Sequence, residues 1–267
     1  GRRARQRAWI IMGGFDSLVV VDFQVTTGED EQEIIEFAWS SFDLASNTAV
    51  DERRLYCKPS VPKLNDETIG ATDVEDADVE SAESLQGCVQ EFNDYLYKAF
   101  TSQNKDFCLC TFGEAPLKKF LLMDAKSKSV KLAAHFMKFV DVRSAFKSHY
   151  PKKTCASAVD CAAELGLTWD KGSSKGAAAS CKVVTKLITH MLSDGVPLTT
   201  PTTIPDGHDP EGGARSRSRS REGRPRDVDR SRSNSRGRNR SSSSSRSRSG
   251  SRSRRSKSPA GGRGRNK

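Results

Sequence analysis

The segment Val19–Phe37 has the sequence VVVDFQVTTGEDEQEIIEF and opens inside a strand candidate, Ser17–Gln24, that is apolar on both faces. Strands that are buried on both faces are typical of the centre of a sheet in α/β proteins. This strand ends with an acid, Asp22, and an amide, Gln24. A carboxylate at a strand end is a common metal ligand, whereas an amide brings no charge. The segment therefore predicts a central strand with an unusual polar end.

The rest of the chain alternates strand and helix candidates. Strand candidates follow at 34–42, 49–57, 107–111 and 139–143, and helix candidates at 79–100, from Pro116 onward, 156–165 and 177–192. The turn-like DLASNT between the second and third strands predicts an antiparallel hairpin. Residues 58–78 hold two prolines and many acids and are expected to form a loop. This order predicts one α/β domain whose mixed sheet is flanked by helices.

Composition divides the chain into four segments. We expect a basic N-terminal extension at 1–16, the folded domain at 17–197, a linker at 198–214 and an Arg-Ser tail at 215–267. The tail lacks the apolar residues of a core and is expected to be disordered. It carries 20 Arg and Lys against three acids, a net charge of +17, so the remainder of this +10 chain carries −7. The basic character therefore belongs to the tail and does not describe the domain.

The cysteines and the hydropathy limit the class of protein. Seven cysteines occur without a C-x-x-C pair, and no histidine stands near them at ligand spacing. Reduced, buried thiols are therefore favoured over a zinc site, and such cysteine usage is typical of a reducing compartment. No apolar run approaches the roughly 18 residues of a membrane span. We therefore expect no membrane partner.

Five motifs resemble the DEDDh 3′–5′ exonucleases, in particular the branch that trims the ends of histone mRNA, small interfering RNA and 5.8S ribosomal RNA. They are VVVDFQ with QEIIEF (19–37), TDVEDADVESAESL (72–85), TFGEAPLKKFL (111–121), FVDVR (139–143) and LGLTWDKGSSKGAAASCKVVTKLITHMLSDG (165–195). The resemblance covers about residues 17–197. It implies an RNase H-like fold with a five-stranded mixed sheet and flanking helices.

The same resemblance implies where the catalytic residues should stand. The family holds two Mg²⁺ ions with four carboxylates and uses a histidine as general base for the attacking water. Its five positions fall on Asp22, Gln24, Pro116, Ser174 and Ala179. The first position alone keeps the family side chain. The resemblance therefore implies a retained fold whose catalytic set is lost, with no cofactor expected; Mg²⁺ or Mn²⁺ would be required only if the protein were an active nuclease.

Two interpretations of Asp22 stay open, a strand-end acid that caps backbone donors and a weak residual cation site, of which we favour the first. A further alternative is that other acids replace the lost metal ligands and keep the protein active. The candidates near the lost positions in the motifs are Glu114, Glu36, Asp141 and Asp170. A side chain two positions away points elsewhere, however, and metal sites tolerate only small displacements. Relocated catalysis is therefore the less favoured hypothesis.

The tail resembles the RS domains of splicing factors. That resemblance implies nuclear localisation (with shuttling to the cytoplasm left open), RNA processing, contact with RS-domain proteins and modification by an SR-type kinase. Unmodified arginines neutralise RNA phosphates with little sequence preference, and the RNA-binding candidates are Arg215, Arg217, Arg219, Arg221, Arg246, Arg248, Arg252, Arg254 and Arg255. Each phosphate adds nearly two negative charges, and the candidate sites are Ser216, Ser218, Ser220, Ser247, Ser249 and Ser253. A solvated, nonspecific basic tail is the plainer alternative.

Three functions stay open on these grounds. The favoured one is a catalytically inactive exonuclease-like module that binds RNA or protein in nuclear RNA processing, with RNA contacted mainly through the tail. The second is an active Mg²⁺-dependent 3′–5′ exoribonuclease that trims RNA ends. The third is a structural scaffold component of a ribonucleoprotein. The net charge of −7 outside the tail weakens direct RNA binding by the domain and favours protein contact.

Overall fold

Six strands form one sheet in the described parts of the chain, which are residues 14–28, 32–168 and 175–208 of the computed structural model. They are β1 (Ser17–Val25), β2 (Ile34–Asp43), β3 (Thr48–Tyr56), β4 (Phe107–Thr111), β5 (Lys138–Asp141) and β6 (Thr202–Thr203). Their order across the sheet is β3-β2-β1-β4-β5-β6. Strands β1, β2 and β3 pair antiparallel, whereas β4 runs parallel to both β1 and β5. The predicted mixed sheet is therefore confirmed.

Helices cover both faces of this sheet. They are α1 (Asp66–Thr72), α2 (Asp76–Glu80), α3 (Leu85–Ala99), a π-helix (Pro116–Leu121) that runs into α4 (Leu122–Ser127), α5 (Val142–His149), α6 (Ala158–Glu164) and α7 (Ala177–Ser193). Short 3₁₀ turns occupy Thr101–Gln103 and Ala134–Met137. None of the helices in the described ranges is long and apolar enough to cross a membrane.

The alternation of side chains along β1 builds two separate cores. Leu18 and Val20 point to the face covered by α5, α6 and α7, while Val19 and Val21 point to the face covered by α3 and α4. Successive residues of a strand point to opposite faces, so a strand that is apolar at every position supplies both cores. This requirement explains the run of valines at the start of the chain's central strand.

The region predicted as a loop at 58–78 instead contains α1 and most of α2. Both helices are short, and each begins at a polar cap: the Asn65 side chain accepts from Thr68 N at 2.7 Å, and the Asp78 side chain accepts from Glu75 N at 3.0 Å. Helices of five to seven residues are too short to show the repeated apolar positions by which a sequence predicts a helix. The long predicted helix at 79–100 begins later, at Leu85, after the Ser84 cap.

The C-terminal end of the domain lies further along the chain than predicted. Residues 198–208, assigned to the linker, include β6, which pairs with the outer edge of β5. The side chains of Leu198 and Ile204 are buried. A two-residue strand in a Pro- and Thr-rich stretch gives no sequence signal, so the predicted sheet lacked its sixth strand. Residues 1–13 of the extension, and everything from 209 onward, lie outside the described residues.

Cysteine usage departs from the expectation at one pair. Cys155 and Cys161 form a disulfide, with their Cα atoms 5.0 Å apart, so the prediction that the cysteines are reduced is wrong there. The turn into α6, whose cap is Ser157, brings Cys155 against the first turn of the helix that carries Cys161. The other five cysteines are free and buried.

Candidate functional site

Asp22 lies near the end of β1, at the contact between β1 and α7. Its Oδ1 accepts a hydrogen bond from Phe23 N at 3.0 Å, and its carboxyl group is also hydrogen-bonded to the side chain of Ser180 on α7. Burial raises the pKa of Asp22 to about 6, and the negative charge of Glu36 raises it further, while the two hydrogen bonds oppose this shift. The folded protein therefore favours the protonated form of this carboxyl group relative to an exposed aspartate.

Glu36 of β2 is the neighbouring acid, and its carboxylate binds the start of α7. Its Oε2 accepts from Ala177 N at 3.0 Å and its Oε1 accepts from Ala178 N at 3.2 Å. The side chain is almost fully buried, with 1% of the residue exposed. The first N–H groups of a helix have no partner within the helix, and a carboxylate there is also favoured by the helix dipole. Both oxygens of Glu36 are thus occupied by backbone donors.

Gly176 makes this contact possible. Its φ of +94° lies in the region that favours glycine, and a Cβ at this position would stand 3.1 Å from Glu36 Oε2. The helix itself supplies no side-chain cap and has no acid in its first turn. A helix start of this kind needs an acceptor from elsewhere in the fold, and that is the sequence signal through which the role of Glu36 could have been found.

The second motif places no ligand beside Asp22. Pro116 is buried at the start of the π-helix, which packs against β1, and a proline side chain cannot bind a metal. Asp141 accepts hydrogen bonds at Oδ1 from Gly113 N at 3.0 Å and from Ser144 N at 3.1 Å. Glu114 pairs with Lys118 at 2.6 Å, and half of its side chain is exposed. These acids therefore hold loops and helix ends.

The last motif is described from Lys175 onward. Ala179 is buried in the first turn of α7 and offers no ligand. Ser174 and Asp170 lie outside the described residues, as do all tail arginines and serines predicted to bind RNA or to be phosphorylated. What those residues contribute stays a prediction.

The residues that are described do not fit the metal pair implied by the resemblance. Of the four ligand positions, Asp22 supplies a carboxylate, Gln24 an amide, and Pro116 and Ala179 nothing. Within the described ranges, no three His, Cys, Asp or Glu side chains lie close enough together to hold a metal ion. Mg²⁺ requires a near-octahedral set of oxygen ligands, usually with more than one carboxylate in two-metal sites. The described residues therefore do not form a two-metal site of the family's kind.

A cavity of about 340 Å³ lies beside this site, between α7 and strands β2 and β3. Four cationic residues line it, Arg53, Arg54, Lys175 and Lys182, together with the acids Glu36 and Glu52. Lys182 pairs with Glu52 at 3.2 Å, and Lys175 pairs with Asp73 of the segment after α1 at 3.0 Å. Because these charges are largely compensated, the cavity is not a strongly cationic groove.

We expect Asp22→Asn to stabilise the protein at high pH. The raised pKa means that stability from this group is fully present below about pH 4, its ordinary range, and is lost as pH rises through about 6. Removing the charge should therefore increase the free energy of unfolding by about 2 kcal/mol at pH 8 and by almost nothing at pH 4. Urea unfolding at both pH values, in EDTA, measures this difference. The exposed Asp94→Asn serves as control, and a gain independent of pH would contradict the assignment.

We expect Glu36→Ala to destabilise the fold strongly. The change removes two charge-assisted hydrogen bonds and leaves Ala177 N and Ala178 N without partners, a loss of about 3 kcal/mol. Glu36→Gln keeps an acceptor and should cost about half as much. Urea unfolding at pH 7 gives both values, with the exposed Glu91→Ala of α3 expected within about 0.5 kcal/mol of the wild type. Similar losses for Glu36→Ala and Glu91→Ala would show that the cap carries no special weight.

Solved structures of two 3′-exonucleases resemble this chain. The nuclease domain of 3′hExo, a DEDDh family member solved with bound rAMP, superposes with a TM-score of 0.66 at 20% identity, covering 73% of this chain and 100% of that one. A 3′-exonuclease solved in a study of specific recognition of the 3′ end of a histone mRNA stem-loop superposes with a TM-score of 0.64 at 19% identity, covering 74% and 94%. These likenesses confirm the RNase H-like exonuclease fold.

Sequence relatives agree with the structures. The chain is 22% identical over 191 residues to 3′-5′ exoribonuclease 1 of Mus musculus, covering 69% of this chain and 55% of that protein. It is 22% identical over 214 residues to the 3′-5′ exonuclease Snipper of Drosophila melanogaster, covering 73% and 75%. The chain thus spans about half the length of the mouse protein. The model of the RNase T exonuclease family matches residues 19–172, more than half of the chain. The chain therefore belongs to the RNase T exonuclease family and carries a DEDDh-type domain related to RNA 3′-exonucleases.

Proposed function

We propose that this protein is a catalytically inactive member of its family and acts as a binding module in nuclear RNA processing. One observation carries the proposal: of the four family ligand positions, Asp22 alone holds a carboxylate, and the nearby Glu36 and Asp141 are hydrogen-bonded to backbone N–H groups. Relocating a ligand would require breaking one of these contacts.

The chemistry of the family explains why this loss matters. Two metal ions stabilise the attacking and the leaving oxygen of the phosphodiester, and each ion needs several charged oxygen ligands. A single carboxylate holds neither ion firmly. At the position of the general base, Ser174 carries a hydroxyl group, which cannot accept a proton near neutral pH. The proposal therefore rests on both ligand loss and base loss.

Charge divides the binding functions between the domain and the tail. Residues 64–97, which include α1, α2 and most of α3, contain ten acids and no Lys or Arg. Such a surface repels RNA phosphates, whereas the tail, with its net charge of +17, attracts them. We therefore assign RNA binding to the tail and protein binding to the domain. The 3′-exonuclease compared above is described as recognising histone mRNA, and that property is not transferred to this domain.

The tail connects the module to its cellular setting. Its Arg-Ser repeats fit an SR-type kinase as modifying enzyme, RS-domain proteins as partners and the nucleus as location. Phosphorylation of the repeated serines would replace net positive charge with negative charge and weaken RNA binding. The competing proposal is a scaffold role without any RNA contact. The only observation that favours it is the acidic character of the domain.

We expect no RNA degradation by the full-length protein. Incubated with 5′-labelled single-stranded RNA in Mg²⁺ or in Mn²⁺, it should leave the RNA intact, because the metal ligands and the base are missing. Denaturing gels measure the product ladder, and the mouse relative named above serves as positive control. A metal-dependent ladder that Asp22→Asn abolishes would overturn the proposal of an inactive site.

We expect RNA affinity to depend on the tail. The full-length protein should bind single-stranded RNA with an affinity that falls steeply with salt, and a version ending at His208 should lose at least tenfold in affinity at low salt. Fluorescence anisotropy across a salt series measures both. The shortened version keeps β6 and the buried Ile204, so its fold is preserved. Undiminished affinity without the tail would assign RNA binding to the domain, and no binding by either version would favour the scaffold.

A further inference from the structure

Cys57 and Cys88 meet where the end of β3 adjoins the first turn of α3. Cys57 forms an isolated bridge with Glu83, and Lys58 N donates to Glu83 O at 2.8 Å, which fixes the two segments side by side. Cys88 Sγ donates to Tyr56 O at 3.4 Å. The two thiols stand close enough to shift each other's pKa, upward for Cys57 and downward for Cys88. Both side chains are free, and both lie in the core beneath α3.

We propose that Cys57 and Cys88 are a site of reversible oxidation, at which a hydroperoxide converts the two thiols into an intramolecular disulfide. The backbone contacts on either side hold the two residues together in the reduced protein. Cys88 Sγ also lies 3.4 Å from the carbonyl oxygen of Tyr56, the residue before Cys57, so the two side chains belong to one contact, as an intramolecular disulfide requires.

Cys88 is the thiol that reacts first. It is the fourth residue of α3, where the dipole of the helix favours a thiolate. The neighbouring Cys57 thiol lowers the pKa of Cys88, although burial and the charges of Glu91 and Glu83 oppose this. The neighbouring Cys88 thiol, together with burial, raises the pKa of Cys57 well above its usual range. The pair therefore consists of a nucleophile and a resolving thiol.

A cavity opens among the chain neighbours of the two buried cysteines. It has a volume of about 310 Å³ and is lined in part by Lys58, which follows Cys57, and by Ser84, Leu85 and Gln86 at the start of α3, whereas the cysteines themselves lie beneath it in the core. Lys128 lines the same cavity and favours a negative charge on Cys57. Hydrogen peroxide is of the size of two water molecules and fits this space.

The reaction balances in two steps. The Cys88 thiolate attacks one oxygen of hydrogen peroxide, the O–O bond breaks, and Cys88 becomes a sulfenic acid while hydroxide leaves. Cys57 then attacks the Cys88 sulfur, the S–S bond forms, and water leaves with the proton of Cys57. In total, two thiols lose two protons and two electrons, and the peroxide is reduced to two waters. A thiol reductant reverses the change.

The other free cysteines lack this arrangement. Burial raises the pKa of Cys108 to about 11, and it raises the pKa of Cys110 and Cys181 well above the usual range. Neither Cys108 nor Cys110 stands at the start of a helix, since both lie within β4. They provide internal controls for reactivity, because they are free and buried in the same protein.

The disulfide would close the segment 57–88 into a covalent loop. That segment contains α1, whose Thr68 Oγ1 accepts from Thr27 N at 2.9 Å just beyond the end of β1. Cross-linking a loop of this size restricts the unfolded chain and stabilises the folded state. We expect oxidation to raise the melting temperature by about 5 to 10 °C.

The test uses the full-length protein, reduced and then titrated with hydrogen peroxide. Differential alkylation and peptide mass mapping should find a Cys57–Cys88 cross-linked peptide that is two hydrogens lighter than the two reduced peptides together. The cross-link should form before Cys108 or Cys110 reacts, and dithiothreitol should reverse it. The melting temperature should rise with the fraction cross-linked. Absence of this cross-link at peroxide levels that oxidise Cys108 or Cys110 would overturn the proposal.

Two variants separate nucleophile from resolving thiol. In Cys57→Ser, Cys88 should stop at a sulfenic acid that dimedone traps, and the melting temperature should no longer rise with peroxide. In Cys88→Ser, Cys57 should stay reduced. Equal dimedone labelling of Cys57 in Cys88→Ser and of Cys88 in Cys57→Ser would contradict the assigned roles. The wild-type mapping needs neither variant, so the proposal remains testable if a variant folds poorly.

Discussion

The site is built around one constraint. The Glu36 carboxylate accepts hydrogen bonds from the first two N–H groups of α7. This contact joins the second strand of the sheet to the longest helix in the described ranges, and it requires glycine at position 176. Helix α7 in turn packs over β1, β2 and β3 and brings Ser180 to Asp22. The placement of Ser180 and Ala179 beside the end of β1 therefore depends on one buried acid that satisfies a helix end.

In our proposal, the fold has been kept while the metal site has been lost. The two cores on either face of β1 and the glycines at turns keep the architecture of the exonuclease family. Polar groups near the family site now bind backbone atoms of the same chain. In our proposal the domain keeps the shape of a nuclease and uses its surface, with the basic tail, for binding. Stability and binding need no metal ligands, so they persist when these are lost.

Much of this could be predicted from the sequence, and the failures have physical causes. The strand at 17–24 and the helix starting at Ala177 were correct to within a residue or two. The strand is a short continuous apolar run, and the helix repeats its apolar residues at helical spacing. The five-residue α2 and the two-residue β6 were missed because elements that short depend on caps and neighbours. Glu36 was considered as a displaced ligand, and its actual partners lie 141 residues away in the chain. The missing cap at the start of α7 indicates that an acceptor is needed, but no local pattern shows which residue supplies it.

The register of the first two strands also bears on how such a protein can change over time. Gln24 lies directly opposite Glu36, and Asp22 is one pleat away on the same strand. A glutamate restored at position 24 would face Glu36 across the ladder, where like charges repel. An aspartate restored at Ala179 would add a further negative charge near a carboxyl group whose pKa is already raised. In our proposal, each single return to a family ligand would therefore lower the stability of the fold before it could bind any metal, so the loss of the metal site would be difficult to reverse by single substitutions.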